Sequence, residues 1–464
     1  MNIEVKPRIK PPLDPDFLPA SLWNRSYRAA VDATGNAQGL ALALKRPSGS
    51  VSVFQTRVFP HTGEYVALNE CYIERLLKFL LWQKGGYHVT VAGDPAIADY
   101  LRTVYSTTGA RKFDYEFMGT KVYGHPMTFE SMPFDPRLTS NESGSELGRH
   151  LDGCRIGFDL GGSDRKCSAV IDGEVVFTEE IVWDPYFETD PEYHFQGIND
   201  TLKRAAEKLP RVDAVGGSAA GVYVDNEVRV ASLFRGVAPD DFERRVRRIF
   251  FDLQKLWDNI PFVVVNDGEV TALAASMSLE ANGVLGISLG TSQAGGYVTP
   301  QGTITDWLNE LAFVPIDYRP NAPVDEWSGD GGVGAQYFSQ QAVARLLPSA
   351  GIDVPADMPF AERLSTTQAL MAGGDDRARK IFETIGVYLG YAIAHYADFY
   401  DLQHALILGR VTSGEGGDII IAKATEVLNA EFPELAKSIK LHQPDEKSKR
   451  HGQAVAAASL PSIV

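Results

Sequence analysis

The 464-residue sequence is poor in cysteine, with only Cys71, Cys154 and Cys167. An odd number of widely spaced cysteines in a chain of this length argues against a disulfide scaffold and favours a reducing compartment. No Cys-x-x-Cys pair occurs, which argues against a cysteine-based zinc site. We therefore expect a cytoplasmic protein.

Basic residues are also scarce, since 44 lysines and arginines face 60 acidic residues, and the formal net charge is -16. Nucleic acids and anionic membrane surfaces are bound by basic faces, so we expect neither as a partner. No apolar run reaches the roughly 18 residues of a membrane-spanning helix. Residues 1–22 are interrupted by prolines and charges and lack the apolar core of a signal peptide.

Hydrophobic residues make up 44% of the chain, enough for substantial cores, and this length favours two or three domains. Strand-like and helix-like patterns alternate along the chain, which predicts an α/β fold with two similar lobes. We expect an N-terminal accessory α/β domain at 1–150, a first lobe at 151–275 and a second lobe at 276–464. A proline-rich extended arm at 1–20 and a linker at 127–150 complete this division.

The local patterns predict individual elements. Three strands are expected at 27–35, 39–49 and 50–60, with turns at glycine and proline. A helix with a glycine C-cap is expected at 70–86. The final helix, within 451–460, is expected to pack back on the first lobe.

A glycine turn follows a strand in "RIGFDLGGSDRK" (155–166). Gly161 and Gly162 would let backbone N–H groups approach an anion closely, and Ser163 adds a hydroxyl. Asp159, at the strand end, could hold Mg²⁺ through water beside that anion. Alone, each such loop is more typical of an ordinary hairpin turn.

A second glycine loop occurs in "SLGTSQAGG" (288–296). Gly290, Thr291 and Ser292 offer hydroxyls and backbone N–H groups for phosphate. Two such loops on facing lobes could bind a polyphosphate from both sides.

A carboxylate stands between these loops in "VVVNDGEVTALAA" (263–275), where Asn266 and Asp267 follow a buried strand. An Asp-Gly pair is often only a turn. In this position, however, Asp267 is suited to deprotonate a hydroxyl that attacks a γ-phosphoryl group.

Residues 154–464 resemble the ROK family of sugar kinases and repressors, within the actin–hexokinase–Hsp70 superfamily. Four motifs occur in the family's order: "IGFDLGGS", "VNDGEVTALAA", "GVLGISLGTSQAGGYV" and "ALILGRVTSG". The resemblance implies two actin/hexokinase-like (ribonuclease H-like) lobes around a central cleft, with the N-terminal α/β domain as an addition. It also implies ATP and Mg²⁺ as cofactors, and we expect a homodimer.

The resemblance also implies roles for single residues. Asp267 takes the catalytic-base position, and Asn266 takes a sugar-hydroxyl position. Gly409 and Gly414 fall at the nucleoside loop, and Glu310 matches a glutamate that contacts the sugar. The residues of the two glycine loops take the phosphate positions.

The sequence departs from the family in the acceptor pocket. Phe313 stands where the family has a histidine that binds sugar and zinc, and the segment 326–340 contains neither cysteine nor histidine. Gln336 lies nearest to the position of a missing sugar-contacting glutamate. Arg235 lies close to a missing sugar-binding asparagine, and we expect both Gln336 and Arg235 to contact the substrate. We therefore expect no zinc.

Two functions remain open on this basis. The first is a kinase that phosphorylates a small-molecule sugar or sugar-like hydroxyl with Asp267 as general base. The second is a sensor or scaffold of kinase ancestry that binds nucleotide or metabolite without catalysis. DNA-binding repression is disfavoured by the charge and by the absence of a basic helix-turn-helix pattern.

Overall fold

The protein is described by a computed structural model that covers residues 3–142, 147–443 and 446–463. The strands are β1 (Gln38–Lys45), β2 (Val51–Val58), β3 (His88–Ala92), β4 (Thr128–Met132), β5 (Cys154–Leu160), β6 (Asp164–Ile171), β7 (Glu174–Val182), β8 (Ala214–Ala219), β9 (Val222–Val224), β10 (Glu227–Val230), β11 (Phe262–Asn266), β12 (Val284–Leu289), β13 (Gln293–Val298), β14 (His404–Leu408) and β15 (Lys440–His442).

The helices are α1 (Ala20–Ala33), α2 (Val66–Lys84), α3 (Pro95–Val104), α4 (Lys112–Glu116), α5 (Pro191–Ala206), α6 (Pro239–Asp241), α7 (Ile249–Leu256), α8 (Asp267–Leu279), α9 (Ala335–Phe338), α10 (Gln340–Ser349), α11 (Phe360–Ala372), α12 (Asp376–Tyr396), α13 (Glu415–Glu431), α14 (Pro433–Ser438) and α15 (Glu446–Ala458). Within the described ranges, no helix is both long enough and apolar enough to cross a membrane. The chain therefore has the mixed α/β composition that its sequence predicts.

Two compact units account for the chain, and each is built from three separate segments. Unit 1 comprises Met1–Ser143, Ile287–Ala294 and Trp307–Gln443. Unit 2 comprises Gly144–Gly286, Gly295–Asp306 and Pro444–Val464. The boundaries at 150 and 275 remain predictions, and residues 143–146 of the predicted linker lie outside the described residues.

Unit 1 contains a sheet in the order β2-β1-β3-β4. The hairpin of β1 and β2 and the helix α2 follow the prediction, and α2 ends at Gly85, whose φ of 76° requires glycine. The strand predicted at 27–35 is wrong, because this stretch lies mostly in α1. Trp23, Tyr27 and Val31 recur every four residues on its buried face.

The predicted linker at 127–150 is partly wrong as well. Its first residues form β4, which pairs in parallel with β3 from His88–Thr128 to Ala92–Met132. The pairing satisfies the backbone hydrogen bonds of a polar segment that has no apolar periodicity of its own.

The proline-rich arm lies along α12. The Leu13 backbone N–H donates to Thr384 Oγ1 at 3.2 Å, and the Tyr388 hydroxyl donates to Asp14 at 2.6 Å. These contacts place the arm within unit 1.

Unit 2 contains a five-stranded sheet in the order β11-β8-β5-β6-β7. The strands β11, β8 and β5 are parallel, and β5, β6 and β7 are antiparallel. Two glycines let α15 pack closely on this sheet. A Cβ at Gly157 would lie 2.5 Å from the Ala454 carbonyl oxygen, and one at Gly216 would overlap the Ala457 carbonyl.

A further four-stranded sheet has the order β13-β12-β14-β15. Its turn between β12 and β13 holds the second glycine loop of the sequence, and the loop after β14 holds the segment predicted to contact a nucleoside.

Candidate functional site

The first glycine turn joins β5 to β6 in unit 2. The Gly161 N–H donates to the Asp164 carbonyl at 2.9 Å, and the Trp183 indole N–H donates to the Gly161 carbonyl at 2.8 Å. The turn therefore places Gly162 and Ser163 at the end of two antiparallel strands. This is the tight turn that the glycine pair predicts.

Asp159 lies near the end of β5, just before this turn. The strand β5 pairs with β8 on one side and with β6 on the other. The Ser218 hydroxyl donates to Asp159 Oδ1 at 2.5 Å. Lys166 Nζ lies 3.5 Å from Asp159 Oδ2 and 2.9 Å from Asp164 Oδ1. Burial acts against the charge of Lys166, but the two carboxylates raise its pKa.

A cavity of about 440 Å³ opens beside Asp159 on the same face of the sheet. Lys166, Glu180 and Ser168 line it from the strands, and Gln453 lines it from α15. The Asp159 carboxylate thus has open space beside it.

Asp267 begins α8, directly after β11. Asn266 caps this helix, since its Oδ1 accepts from the Gly268 N–H at 2.7 Å, while its Nδ2 donates to the Gly221 carbonyl at 2.6 Å. Burial first, and the negative charge of Asp159 second, raise the pKa of Asp267 to about 6. The hydrogen bond from the Gly268 N–H opposes this shift.

Close backbone packing fixes the position of Asp267. A Cβ at Gly268 would overlap the Gly295 carbonyl, and a Cβ at Gly296 would overlap the Gly268 carbonyl. Only glycines at these positions allow the first turn of α8 to lie against β13. Asp267 and the glycine turn between β5 and β6 both belong to unit 2. The charge of Asp159, beside that turn, acts on Asp267.

The second glycine loop lies in unit 1. The Gly290 N–H donates to the Ser292 carbonyl at 3.0 Å, and Thr291 and Ser292 are exposed. A Cβ at Gly290 would meet only the Ser292 carbonyl, at 3.6 Å. The space above Gly290 is therefore open.

Gly409 lies against this loop, since a Cβ there would overlap the Leu289 carbonyl, and its φ is 108°. A 3₁₀ turn connects Gly409 to Gly414, which precedes α13 and has no neighbour within 4 Å of an added Cβ. The structure thus brings together the predicted second phosphate loop and the predicted nucleoside loop.

Arg235 lies near the first turn in unit 2. Its guanidinium carbon is 4.0 Å from the centroid of the Tyr186 ring. The Tyr186 hydroxyl would in turn overlap a Cβ added at Gly162. Arg235 is therefore one ring away from the glycine turn.

Glu310 and Gln336 lie in neighbouring segments of unit 1. A Cβ at Gly334 would lie 2.7 Å from the Leu311 carbonyl oxygen, which brings the two segments into contact. The Gln336 amide donates to Gln341 Oε1 at 2.7 Å, and Gln336 is buried. The Glu310 N–H donates to the Trp82 carbonyl at 3.0 Å.

Solved structures with a similar fold include both enzymes and a regulator. A ROK hexokinase from Thermus thermophilus superposes with a TM-score of 0.52 at 16% identity, over 66% of this chain and 97% of that chain. A ROK-family transcriptional regulator, a homologue of the E. coli MLC protein, superposes with a TM-score of 0.53 at 18% identity, over 67% of this chain and 79% of that chain. The chain has the fold of ROK-family proteins. No family model matches the sequence, and no curated protein matches it.

Phe313, where the family resemblance leads us to expect a histidine, packs in an aromatic cluster. Its ring centroid is 4.5 Å from that of Trp82 and 4.9 Å from that of Trp327. Trp82 comes from α2, so the N-terminal part of the chain contributes to this cluster. The Phe313 ring therefore belongs to the packed interior of unit 1.

The segment 326–340 carries part of a buried ion network. Asp330 Oδ2 lies 3.1 Å from Lys78 Nζ, which also contacts Asp114 Oδ1 at 2.7 Å. Burial would raise the pKa of Asp330, but the charges of Lys78, Arg111 and Arg75 hold it far below its usual value. In the part of the chain that the structure describes, no group of three or more His, Cys, Asp or Glu side chains could hold a metal ion.

Three residues near the first turn have no counterpart among the sequence predictions: Lys166, Ser218 and Tyr186. Lys166 and Ser218 face Asp159 only because of the strand register, which pairs Asp159 with both of them. The aromatic run that contains Tyr186 is visible in the sequence, but nothing in the run indicates that it reaches Gly162.

Proposed function

We propose that this protein is a ROK-type kinase that transfers the γ-phosphoryl group of ATP to a hydroxyl of a sugar or sugar-like acceptor. The two actin/hexokinase-like lobes, the central cleft and the accessory N-terminal domain belong to this proposal. The observation that carries it is the position of Asp267. It is a carboxyl group at the start of a helix, with its pKa raised to about 6 by burial and by the nearby Asp159.

Asp267 would act as the general base. The acceptor oxygen forms a bond to the γ-phosphorus, the bond from that phosphorus to the β–γ bridging oxygen breaks, and ADP leaves. The acceptor proton passes to the Asp267 carboxylate. A base with a pKa near 6 is largely ionised at neutral pH and still accepts a proton effectively, which is worth about 10²–10⁴ in rate.

The phosphate-binding residues of this proposal are Gly161, Gly162 and Ser163 of the first glycine loop and Gly290, Thr291 and Ser292 of the second. Gly409 and Gly414 would contact the nucleoside. Asp159 fits a role in holding Mg²⁺ through water, because its carboxylate borders a cavity whose lining includes further charged and hydroxyl side chains. When bound, Mg²⁺ neutralises charge on the phosphate oxygens.

Acceptor binding is assigned to Asn266 and Glu310. Both ends of the Asn266 amide already make one hydrogen bond each, so one amide hydrogen and one oxygen lone pair remain for a ligand.

A second candidate function is a sensor that binds nucleotide or metabolite without turnover. This second function is favoured by two residues of unit 1 at positions expected to contact the acceptor. Phe313 packs against Trp82, and the Gln336 amide is hydrogen-bonded to Gln341. Those side chains are engaged with the protein itself. Measurement of ATP consumption against hexoses, amino sugars and sugar acids separates the two functions, since only the kinase consumes ATP in an acceptor-dependent way.

Gly290→Val tests the nucleotide site. Because an added Cβ meets only one atom at 3.6 Å, the protein should fold normally while the side chain occupies the phosphate space. We expect calorimetry to show weaker Mg·ATP binding by at least about tenfold. Thermal melting beside the wild type is the control for folding, since Gly290 has no left-handed φ that a side chain would strain. Unchanged affinity in Gly290→Val contradicts the assignment.

The homodimer, the cytoplasmic location and the absence of zinc remain predictions. Elemental analysis that finds one zinc ion per purified chain would overturn the last of these.

A further inference from the structure

Tyr186 lies directly over the first glycine turn. Its hydroxyl and ring would overlap a Cβ at Gly162, so the phenol occupies the direction in which a side chain would project from the turn. Trp183, from the same connection after β7, donates its indole N–H to the Gly161 carbonyl at 2.8 Å. The segment after β7 therefore packs against the glycine turn through Trp183 and Tyr186.

The Arg235 guanidinium stacks on two rings of this segment, those of Tyr186 and Phe187. Its guanidinium carbon lies 4.0 Å from the ring centroid of Tyr186 and 4.9 Å from that of Phe187, both within the range of cation–π attraction. The two segments are held together by backbone packing, since a Cβ at Gly236 would lie 2.6 Å from the Glu188 carbonyl oxygen. The position of Arg235 beside the turn is therefore fixed by its own segment and by the rings.

The charges at the turn leave a role for this cation. Asp159 and Asp164 carry two negative charges, and Lys166 is paired with both of them. An anion at the turn therefore gains little from Lys166, and it can use another cation in addition to the Mg²⁺ proposed at Asp159. Across the described ranges, the Arg235 guanidinium makes no hydrogen bond or ion pair, and its side chain is exposed.

We propose that Arg235 binds the terminal phosphate of ATP at the glycine turn, with Tyr186 as the platform that holds the guanidinium in place. This inference rests on the proposed function and replaces the acceptor contact that the sequence predicts for Arg235. A guanidinium suits the task because its planar set of N–H donors binds phosphate oxygens in pairs.

Calorimetric titration of the full chain with Mg·ATP and Mg·ADP tests the proposal. Arg235→Gln should weaken Mg·ATP binding by about 10–100-fold and Mg·ADP binding much less, because only ATP carries the terminal phosphate. Arg248→Gln is the matched control. Arg248 is also exposed and stacked on a ring, 5.0 Å from the Phe251 centroid, and the substitution removes the same charge from the same unit. We expect wild-type binding in this control, and thermal melting should show that both variants are folded.

The platform role has its own variants. Tyr186→Phe keeps the ring and should bind Mg·ATP nearly as the wild type does. Tyr186→Ala should weaken binding, and its combination with Arg235→Gln should be no weaker than Arg235→Gln alone, since both changes remove one interaction. Additive losses would show that Tyr186 does not act through Arg235.

The remaining outcomes separate this inference from the function on which it rests. If the wild type fails to bind Mg·ATP, the proposed function is wrong and this inference falls with it. If the wild type binds and Arg235→Gln binds equally well, or loses ATP and ADP alike, only the assignment of Arg235 to the terminal phosphate is wrong.

Discussion

The ionised form of Asp267 is unfavourable in the folded protein, because burial and the Asp159 charge raise its pKa from 3.8 to about 6. A raised carboxyl pKa means that the folded state binds the proton more tightly than the unfolded chain does. The associated stability is present below about pH 4 and is lost as the pH rises through 6. At neutral pH the charged carboxylate therefore destabilises the fold, as expected for a group kept for chemistry.

Asp267→Asn should accordingly stabilise the protein while it slows turnover. We expect a gain of about 1–3 kcal/mol in the free energy of unfolding at pH 7.5, and a rate loss of about 10²–10⁴ once an acceptor is known. Urea denaturation and a coupled ATPase assay measure the two effects. Asp252→Asn, at an exposed aspartate in α7, should change neither. A stability loss in Asp267→Asn would contradict the pKa assignment.

The pH dependence of turnover gives an independent measure. If Asp267 is the base, kcat/KM should fall about tenfold per pH unit below roughly pH 6, as the carboxylate takes up a proton. Asp159→Asn removes one cause of the raised pKa, so the acid limb should move to lower pH even though the variant is slower. A limb that stays in place would exclude this coupling of the two carboxylates.

At the scale of elements, buried ion pairs join α2 to the segments around it. Lys78 is fully buried, Asp114 is 2% exposed and Asp330 is 8% exposed. The Trp82 indole N–H also donates to Asp114, at 2.6 Å. Burial of these charged groups costs free energy of desolvation when the protein folds. Removal of one partner is also strongly destabilising, because it leaves a buried charge without compensation.

Lys78→Met should reduce the free energy of unfolding by about 3–5 kcal/mol, since it leaves Asp114 and Asp330 with less compensating charge. The control is Lys112→Met, whose 3.6 Å pair with Glu116 is about half exposed and should be worth less than about 1 kcal/mol. Urea denaturation monitored by circular dichroism compares the two. Similar losses in both variants would show that the buried network is not a special source of stability.

Elements with strong periodic patterns could be predicted, and those fixed by distant partners could not. The apolar run of α2 and the strand–turn–strand pattern around Asp159 are local signals, and the structure confirms both. The segment 27–35 predicts a strand that ends at the turn residue Gly35, but its buried face continues upstream into the first half of α1. The strand β4 is polar and exists only because β3 offers it a pairing edge.

The site shows the same division. The placement of Asp267 at a strand exit and the glycine turn could be predicted, because both are encoded in a few consecutive residues. The contact of Tyr186 with Gly162 and the salt bridges of Lys78 join positions far apart in the sequence. The charge of Lys78 and the aromatic ring of Tyr186 do not indicate which residues they contact in the fold.

At the scale of the whole molecule, the first 142 residues share a compact unit with residues 307–443. The ring centroids of Phe79 and Phe399 lie 3.8 Å apart, and Trp82 packs on Phe313. Removal of the N-terminal segment would thus expose aromatic surface that is covered in the intact chain.

We therefore expect a chain that starts at residue 147 to aggregate, and a full chain cut at a protease site inserted between 142 and 147 to remain associated. Size-exclusion chromatography of the cut protein, with and without urea, measures this. The uncut chain with the same insertion is the control. If the 147–464 fragment elutes alone as a folded species that binds Mg·ATP, the N-terminal part is instead the separable domain that the sequence predicts.

The interleaving of the two units also sets a constraint on synthesis. Unit 1 needs residues up to Gln443, and unit 2 needs α15, which comes after them. A ribosome that makes the chain from the N-terminus must therefore emit almost all of it before either unit can close. During that interval the apolar faces of α2 and β5 await partners not yet translated, so the nascent chain should depend on holding chaperones more than a protein whose domains follow one another in sequence.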